Sequence, residues 1–245
     1  MSSPYAPTSV PLVWSLDARA IAPTLDFYNS TWIWTGEKPM PLGVRPFRKT
    51  LPASRRKCPV CATILISSDD TYSIVVNGAA IRSGNGWRQP AVYTTGLHPK
   101  NENVFAIAVN NTNGDAASFI VTISVDYTDG TTETITTDNT WKTLKTVPPS
   151  GWTNPSFDDS AWLNAVSILA GTSTPWDQPF VLPPVMNMTD TRVIWTNETE
   201  PNGNQPVRHR PFRKTITSPY GKAAVCGKVI ITAYAAGTGF MLCLE

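Results

Sequence analysis

Residues 119–137, FIVTISVDYTDGTTETITT, decide the fold class of this chain. From Phe119 to Tyr127 apolar and polar residues alternate, which is the pattern of a β-strand with one buried face. The dipeptide Asp129-Gly130 favours a tight turn, and Thr131 to Thr137 returns as the partner strand. The segment therefore predicts an antiparallel hairpin that packs on a core.

Similar signals recur upstream of this hairpin. Ala62 to Ser67 is a run of apolar and β-branched residues, Tyr72 to Val76 ends at the turn dipeptide Asn77-Gly78, and Val104 to Val109 alternates. Strands repeated about every 8 to 12 residues are typical of a β-sandwich. The only helical signal is a single turn at 157–162. We predict an all-β fold.

The composition supports this class and argues against two kinds of partner. Charged residues make up 16% of the 245-residue chain, against about 25% in average soluble domains. The formal net charge is only +2, which is too small to indicate a basic surface that binds nucleic acid. No apolar run approaches the roughly 20 residues of a membrane helix. We expect neither nucleic-acid binding nor a membrane span.

An internal repeat divides the chain. Trp32-Ile33-Trp34-Thr35 is echoed by Val193-Ile194-Trp195-Thr196, and Pro46-Phe47-Arg48-Lys49-Thr50 recurs as Pro211-Phe212-Arg213-Lys214-Thr215. The second copy stops early, so it is a truncated module. The predicted parts are an N-terminal surface segment (1–30), a β-sandwich (31–185) and a partial second module (186–245).

The truncated copy raises the question of what covers it. The opening strands of a sandwich, left without the strands that complete it, would present bare edges and an uncovered apolar face. The segment either docks on the first module of the same chain or pairs with its counterpart in a second chain. We expect the second arrangement, a homodimer. Docking on the first module of the same chain is the alternative.

The order of motifs resembles a known family of modules. Those that carry the resemblance are Trp32-Ile33-Trp34, Arg45 to Thr50, Ser67 to Gly78, Gly86-Trp87-Arg88, Asn103 to Asn110, Thr137 to Lys142, and Phe157 to Trp162. Together they look like a galactose-binding-like jelly-roll module, similar to the accessory domains of α-L-rhamnosidases and to stand-alone fungal lectin-like proteins. The resemblance covers about residues 31–180 and implies a galactose-binding-like β-sandwich that binds carbohydrate.

Several residues of these motifs are expected to serve the fold. Asp158 and Asp159 are expected to cap a turn. Arg48 and Arg213, each inside a predicted strand, are expected to pair with an acid or a carbonyl across the sheet. The tryptophans expected to pack in cores are Trp34, Trp195, Trp141 and Trp162.

Catalytic signatures are missing from the sequence. Glycoside hydrolysis uses two carboxylates roughly 5 to 10 Å apart, whereas Asp69 and Asp70 are adjacent and would point to opposite faces of a strand. The chain has no GxSxG, P-loop or HExxH motif, and its two histidines are His98 and His209. We predict a protein that is not an enzyme.

The four cysteines predict structural roles rather than a cofactor. Cys58 and Cys61 have CxxC spacing, but a zinc ribbon needs a second such pair and a redox motif needs a βαβ setting. Together with Cys226 and Cys243 they are expected to be buried thiols or to form a disulfide. No cofactor or metal is expected; calcium is compatible with the composition, but no motif supports it.

Signals for localisation point in two directions. The first residues lack the basic start and apolar stretch of a signal peptide, which favours the cytosol. Four glycosylation sequons, at Asn29, Asn110, Asn187 and Asn197, favour secretion. We expect an extracellular protein, with a cytosolic one as the alternative.

The candidate ligand site is the segment from Arg82 to Gln89. It is interpreted as a glycine-flanked loop that offers a carboxamide (Asn85), an aromatic face (Trp87) and a guanidinium (Arg88). Sugars are recognised by aromatic faces together with planar polar groups. Asp70 and Tyr93 are expected to contribute from neighbouring strands.

Two alternatives accompany this site. Trp87 is equally suited to covering an edge of the core. A second candidate loop, from Asn110 to Asp115, is rich in carboxamides and is otherwise a plain turn or a glycosylation site.

The sequence thus favours a carbohydrate-binding, lectin-like protein without catalytic activity. Two alternatives remain. One is a structural or assembly protein that uses the jelly roll for protein–protein contacts. The other is a detached accessory part of a glycoside hydrolase.

The first prediction concerns Trp87. If its ring is a sugar platform, Trp87→Ala should weaken sugar binding by about 1–3 kcal/mol, the scale of stacking a flat ring on an aromatic side chain. Titration calorimetry with the best monosaccharide from a glycan array measures this change. An unchanged affinity in a folded variant would remove Trp87 from the site.

Overall fold

The computed structural model describes residues 25–114 and 116–173, with isolated positions between 192 and 220. Over these residues the chain forms strands and turns and no helix. The strands are β1 (Thr31–Trp34), β2 (Gly43–Leu51), β3 (Pro59–Asp69), β4 (Thr71–Val76), β5 (Ala79–Asn85), β6 (Ala91–Gly96), β7 (Asn103–Asn111), β8 (Ser118–Tyr127), β9 (Thr132–Thr136), β10 (Lys142–Thr143), β11 (Leu163–Asn164) and β12 (Val166–Ala170).

The strands form two antiparallel sheets. The first has the order β12-β1-β8-β3-β6, with β9 also paired to β8, and the second has the order β11-β10-β2-β7-β4-β5. The predicted hairpin of 119–137 is present as β8 and β9, which are joined through the turn at Gly130 (φ +78°). The structure therefore confirms the predicted all-β sandwich.

The main core lies between the two sheets. Phe119 of the first sheet lies 4.7 Å from Phe47 of the second and 5.7 Å from Trp141, measured between ring centroids. The ring of Trp34 lies 5.7 Å from that of Phe47, and all four rings are fully buried. The core roles predicted for Trp34 and Trp141 are confirmed, and Trp162 is also buried but packs against Trp152 and Phe157. Trp195 lies outside the described residues.

A second, smaller cluster covers the outer face of the first sheet. Side chains alternate along a strand, so in β3 Ile64 and Ile66 enter the main core while Leu65 faces the opposite way. Leu65 packs there with Phe27, Trp32 and Ile120. The first sheet is therefore apolar on both faces, which explains why β3 and β8 are buried along almost their whole lengths.

Arg48 of β2 is the buried charge on the outer face of the second sheet. Its Nε donates to the carboxylate of Asp159 at 2.8 Å, and its other nitrogens donate to the carbonyls of Trp152, Asn154 and Phe157. Its side chain is 1% exposed. The predicted acid and carbonyl partners are found in the 152–159 segment, which covers this face.

The predicted turn caps divide between two roles. Asp158 does cap the turn, because its Oδ1 accepts the backbone N–H of Ser160 at 2.9 Å. The prediction that the side chain of Asp159 is also a cap is corrected, since its carboxylate binds Arg48. Asp158 and Asp159 have different partners because the buried Arg48 needs an anion, and Asp159 lies on the side of the turn that faces the sheet.

One predicted loop is largely a strand. Asn77 (φ +53°) and Gly78 (φ +79°) form the predicted turn, and β5 then pairs with β4 from Thr71↔Asn85 to Val76↔Ala79. The interpretation of 82–89 as a loop is therefore wrong for its first half, which continues β5 to Asn85. The sequence did not predict this strand because β5 is a largely exposed edge strand. Its residues lack the alternation of apolar and polar side chains by which a strand is predicted.

The predicted domains and spans are described only in part. The surface segment 1–30 is described from Leu25 onward, and the partial second module 186–245 lies outside the described residues apart from isolated positions.

Cys58 has a free thiol and Cys61 is disulfide-bonded, so these two do not pair with each other. Within the part that the structure describes, no helix has the length and apolar character to cross a bilayer.

Replacing Arg48 tests the covering segment. Arg48→Met should lower the free energy of unfolding by about 3–5 kcal/mol, because it leaves Asp159 and three carbonyls without their donor. Chemical denaturation measures this. Lys49→Met, at the adjacent and less buried position of β2, is the control and should change stability by about 0.5 kcal/mol or less. Equal effects of the two substitutions would contradict the assigned role.

Candidate binding surface

The two candidate loops of the sequence meet at one end of the sandwich. Asp70 lies between β3 and β4, and its carbonyl accepts the N–H of Gly86 at 2.7 Å, directly after β5. The next residue, Thr71, pairs with Asn85 on one side and with Asn110 on the other. The structure therefore places Asp70, Asn85 and the start of the carboxamide-rich loop beside one another.

The carboxylate of Asp70 is held by the loop that follows β7. Its Oδ2 accepts the backbone N–H of Thr112 at 2.7 Å and the hydroxyl of the same residue at 2.6 Å. Its Oδ1 accepts the amide of Asn113 at 3.0 Å. We call this arrangement the Asp70 clamp. It fixes the orientation of a carboxylate that stays partly accessible to solvent.

Asn111 anchors the clamp to the body of the sandwich. Its buried side-chain amide donates to the carbonyls of Met40 and Pro41, at 3.3 and 3.2 Å. Its Oδ1 accepts the N–H of Gly114 at 3.0 Å, and Gly114 adopts a positive φ of +78°. The loop is thus closed by its own first residue, so Thr112 and Asn113 are directed at Asp70.

Hydrogen bonding keeps Asp70 ionised. Burial is the largest influence and would raise its pKa, but the hydrogen bonds from Thr112, together with those from Asp69 and Asn113, outweigh it and lower the pKa. The carboxylate is therefore charged at neutral pH. Each of its oxygens has further acceptor capacity for a ligand hydroxyl.

Next to the clamp, the outer face of the second sheet has a shallow depression of about 470 Å³. Small side chains create it: Ser73 pairs with Ala108 on β7 and with Ser83 on β5. Its lining is Val44, Thr71, Tyr72, Ser73, Ser83, Gly84, Asn85, Ala108 and Asn110. The surface is thus rich in hydroxyls and carboxamides, and none of its lining residues is charged.

Beneath this depression, Tyr72 of β4 pairs with Gly84 of β5 and its side chain enters the main core. A Cβ at position 84 would lie 2.4 Å from the Tyr72 hydroxyl, so only glycine allows the tyrosine to lie there. That hydroxyl hydrogen-bonds the hydroxyl of Tyr93 at 3.0 Å. Burial and the hydrogen bond to Tyr93 raise the pKa of Tyr72 above its ordinary value. Tyr93 packs against the main core, so it supports Tyr72 and does not line the depression.

Trp87 and Arg88 lie beyond Asn85 in the β5–β6 connection. Trp87 packs against the smaller cluster on the outer face of the first sheet, and its carbonyl accepts the hydroxyl of Ser67 at 2.7 Å. The guanidinium carbon of Arg88 lies 5.3 Å from the centre of the Trp87 ring. These two residues stack on each other and do not line the depression.

Sequence reasoning identified Asp70, Asn85 and the loop from Asn110, but it missed other residues that build the surface. Thr71 and Ser73 are the outward positions of β4, which alternates with the buried Tyr72 and Ile74. That alternation is visible in the sequence and could have indicated a polar outer face. Thr112 carried no such signal, because its bond to Asp70 joins residues 42 apart in the chain. Asp115 of the second candidate loop lies outside the described residues.

Acidic, cysteine and histidine side chains are dispersed over the described parts of the chain. Within 25–114 and 116–173 no three of them gather in a group that could hold a metal ion. The chemistry that the surface offers is therefore hydrogen bonding by one carboxylate, several hydroxyls and two carboxamides.

This chain is similar to solved lectin structures and to a rhamnosidase. No family model matches it. It is 41% identical to a lectin from Pleurotus ostreatus solved in complex with GalNAc, with a TM-score of 0.62, over 71% of this chain and 52% of the lectin. The apo form of that lectin gives a TM-score of 0.61.

An α-L-rhamnosidase from Streptomyces avermitilis is also similar. The sequences are 32% identical over 63% of this chain and 16% of the enzyme. The structure of the enzyme with L-rhamnose superposes with a TM-score of 0.55 at 29% identity. This chain therefore spans about half the length of the lectin and a small part of the rhamnosidase. The resemblance to rhamnosidase accessory modules and to fungal lectins is confirmed.

Thr112→Val tests the clamp. Loss of the hydroxyl should raise the pKa of Asp70 towards its ordinary value, measured by NMR titration of the side-chain carboxyl carbon. A lowered folded-state pKa stabilises the fold above the unfolded pKa, and that stabilisation disappears as pH falls through the folded value. The stability difference between wild type and variant should therefore be present at neutral pH and shrink in acid. Thr128→Val, on the exposed β8–β9 turn, should leave the pKa of Asp70 unchanged.

Proposed function

We propose that this chain is a carbohydrate-binding, lectin-like protein whose ligand lies between the Asp70 clamp and the adjacent depression. The observation that carries the proposal is an ionised, oriented carboxylate at the rim of a depression lined by hydroxyls and carboxamides. The similarity to a lectin crystallised with GalNAc supports it.

The groups around Asp70 match the hydrogen-bonding needs of a sugar. A pyranose presents pairs of neighbouring hydroxyls, each of which both donates and accepts. Asp70 only accepts, while the carboxamides of Asn85 and Asn110 accept and donate. Thr71 lies between these two asparagines in the sheet. A hydrogen bond to a charged acceptor is roughly twice as strong as a neutral one, so we assign Asp70 the largest share of recognition.

The side chains of the site are ordered before a ligand binds, which favours binding. The clamp orders Asp70 before any ligand arrives, and Asn111 orders the loop that forms the clamp. Side chains that are already ordered lose little conformational freedom on binding, which otherwise opposes association by about 0.5–1.5 kcal/mol per side chain. A small polar ligand can then bind although the depression is shallow.

We also propose that the bound sugar is not hydrolysed. Hydrolysis requires an acid and a second carboxylate on opposite sides of the glycosidic bond. The lining of the depression contains no carboxylate, and the nearest acid in sequence, Asp69, is buried at the end of β3. The purified chain should release no p-nitrophenol from α-L-rhamnosides or α-galactosaminides above background.

The similarity to the rhamnosidase favours a second candidate function. As an accessory module of a larger glycoside hydrolase, the chain would bind sugar at the same surface but would act beside a catalytic domain. A panel that contains GalNAc and L-rhamnose distinguishes the two. Preference for GalNAc supports the lectin-like function, and preference for L-rhamnose supports the accessory function.

Asp70→Asn tests the site. The substitution keeps the shape of the side chain but removes its charge and turns one acceptor into a donor. It should lower the affinity for GalNAc at least tenfold, which is about 1.4 kcal/mol, measured by calorimetry. Asp129→Asn is the matched control, because Asp129 also accepts the N–H and hydroxyl of a threonine two residues on, but at the β8–β9 turn. Equal affinities of the two variants would contradict the assignment.

A further inference from the structure

A glycosylation sequon lies inside the proposed binding surface. Asn110 of Asn110-Asn111-Thr112 lines the depression, where it pairs with Val44 of β2 and Thr71 of β4. The third residue of the same sequon, Thr112, forms the Asp70 clamp. The acceptor asparagine and the hydroxyl of the motif thus both belong to the ligand site.

We propose that Asn110 is an N-glycan acceptor and that a glycan on it closes the carbohydrate site. The proposal rests on the function proposed above and adds a modification that controls it. A chain that carries the glycan is folded but binds external sugar at least tenfold more weakly than the unmodified chain.

Asn110-Asn111-Thr112 is an N-glycosylation acceptor motif, and we propose that the co-reactant is a lipid-pyrophosphate-linked oligosaccharide. A bond forms between Nδ2 of Asn110 and C1 of the first sugar. The bond between that C1 and the pyrophosphate oxygen breaks, and the amide nitrogen gives one proton to the departing lipid pyrophosphate. No oxidant or reductant takes part.

Transfer must precede folding of this loop. In the folded chain the Thr112 hydroxyl is bound to Asp70, and the adjacent Asn111 is buried against Met40 and Pro41. These contacts hold the sequon in a closed turn. An enzyme that needs the asparagine and the threonine extended in its own site can reach them only before β7 and its loop are packed.

The fold tolerates the modification. Asn110 is only half-buried and faces the open depression, while its neighbours Val109 and Asn111 are buried. A sugar on Nδ2 would extend outward from the second sheet without entering the core. Folding can therefore proceed after transfer, with Asn111 still free to anchor the loop.

The glycan then acts on the site in two ways. Its first sugars occupy a depression of about 470 Å³. That depression has room for only a small ligand. In addition, a sugar tethered at the wall of the site has an effective concentration in the millimolar range, which competes with weakly binding free ligand. Both effects lower the binding of external carbohydrate.

A sequon elsewhere provides the contrast. Asn29 is exposed in a turn next to Phe27, which packs on the outer face of the first sheet. A glycan there points away from the second sheet and its depression. Position, rather than the mere presence of a glycan, therefore decides whether binding is lost.

The experiment uses the full chain with Asn29→Gln, Asn187→Gln and Asn197→Gln, so that Asn110 is the remaining sequon. This one variant is produced through the secretory pathway of yeast and, as the unglycosylated reference, in a bacterial strain whose cytosol permits disulfides. Mass spectrometry of the peptide that contains Asn110 gives its occupancy. Circular dichroism compares the folds, and retention on immobilised GalNAc and L-rhamnose gives binding. Secreted wild type shows whether the other sequons alter the result.

The expected result is occupancy of Asn110, an unchanged fold, and at least tenfold weaker binding of the secreted form than of the bacterial form. Absence of a glycan at Asn110 would overturn the proposal, and so would an occupied chain that binds as well as the bacterial form. If the bacterial form binds neither sugar, nor any other on a glycan array, the proposed function itself is wrong. That outcome is distinct from a failure of the modification.

Discussion

A buried guanidinium on the outer face of the second sheet determines which part of that face is covered. Arg48 is almost fully buried, and a buried charge must be paired and hydrogen-bonded. The 152–159 segment supplies its carboxylate and carbonyls and therefore lies over this part of the sheet. Four residues earlier on β2, about 13 Å away at the rise of a strand, Val44 lines the open depression. One strand thus carries both the covered and the exposed part of the same face.

The exposed part offers fixed polar groups rather than a deep cavity. Asp70 lies in the tight connection between two strands of different sheets, so the sandwich itself determines where its carboxylate is. Thr112 and Asn113 orient that carboxylate, and Asn111 ties their loop to the Met40–Pro41 backbone. Each contact joins segments far apart in sequence. The site is therefore a property of the complete fold, and a substitution at Asn111 should disturb it without touching the ligand.

The sequence allowed the fold to be predicted more fully than the site. Alternation in 119–127 and the turns at Asn77-Gly78 and Asp129-Gly130 are local signals, and each corresponds to a strand or hairpin in the structure. Of the predicted site residues, Asp70 and Asn85 lie at the surface described above, while Trp87 and Tyr93 contribute to hydrophobic packing. The sequence could not separate these cases, because an aromatic residue beside a polar loop is equally suited to a core edge and to a sugar platform. The clamp could not be predicted at all, since it depends on pairing across 42 residues.

The most direct test of this account is a crystal structure of the chain soaked with GalNAc. We expect electron density for the sugar at the rim of the depression, with one hydroxyl within hydrogen-bond distance of the Asp70 carboxylate and others facing Asn85 or Asn110. We also expect Thr112 and Asn113 to keep their bonds to Asp70. A sugar stacked on Trp87 and out of reach of Asp70 would contradict the account.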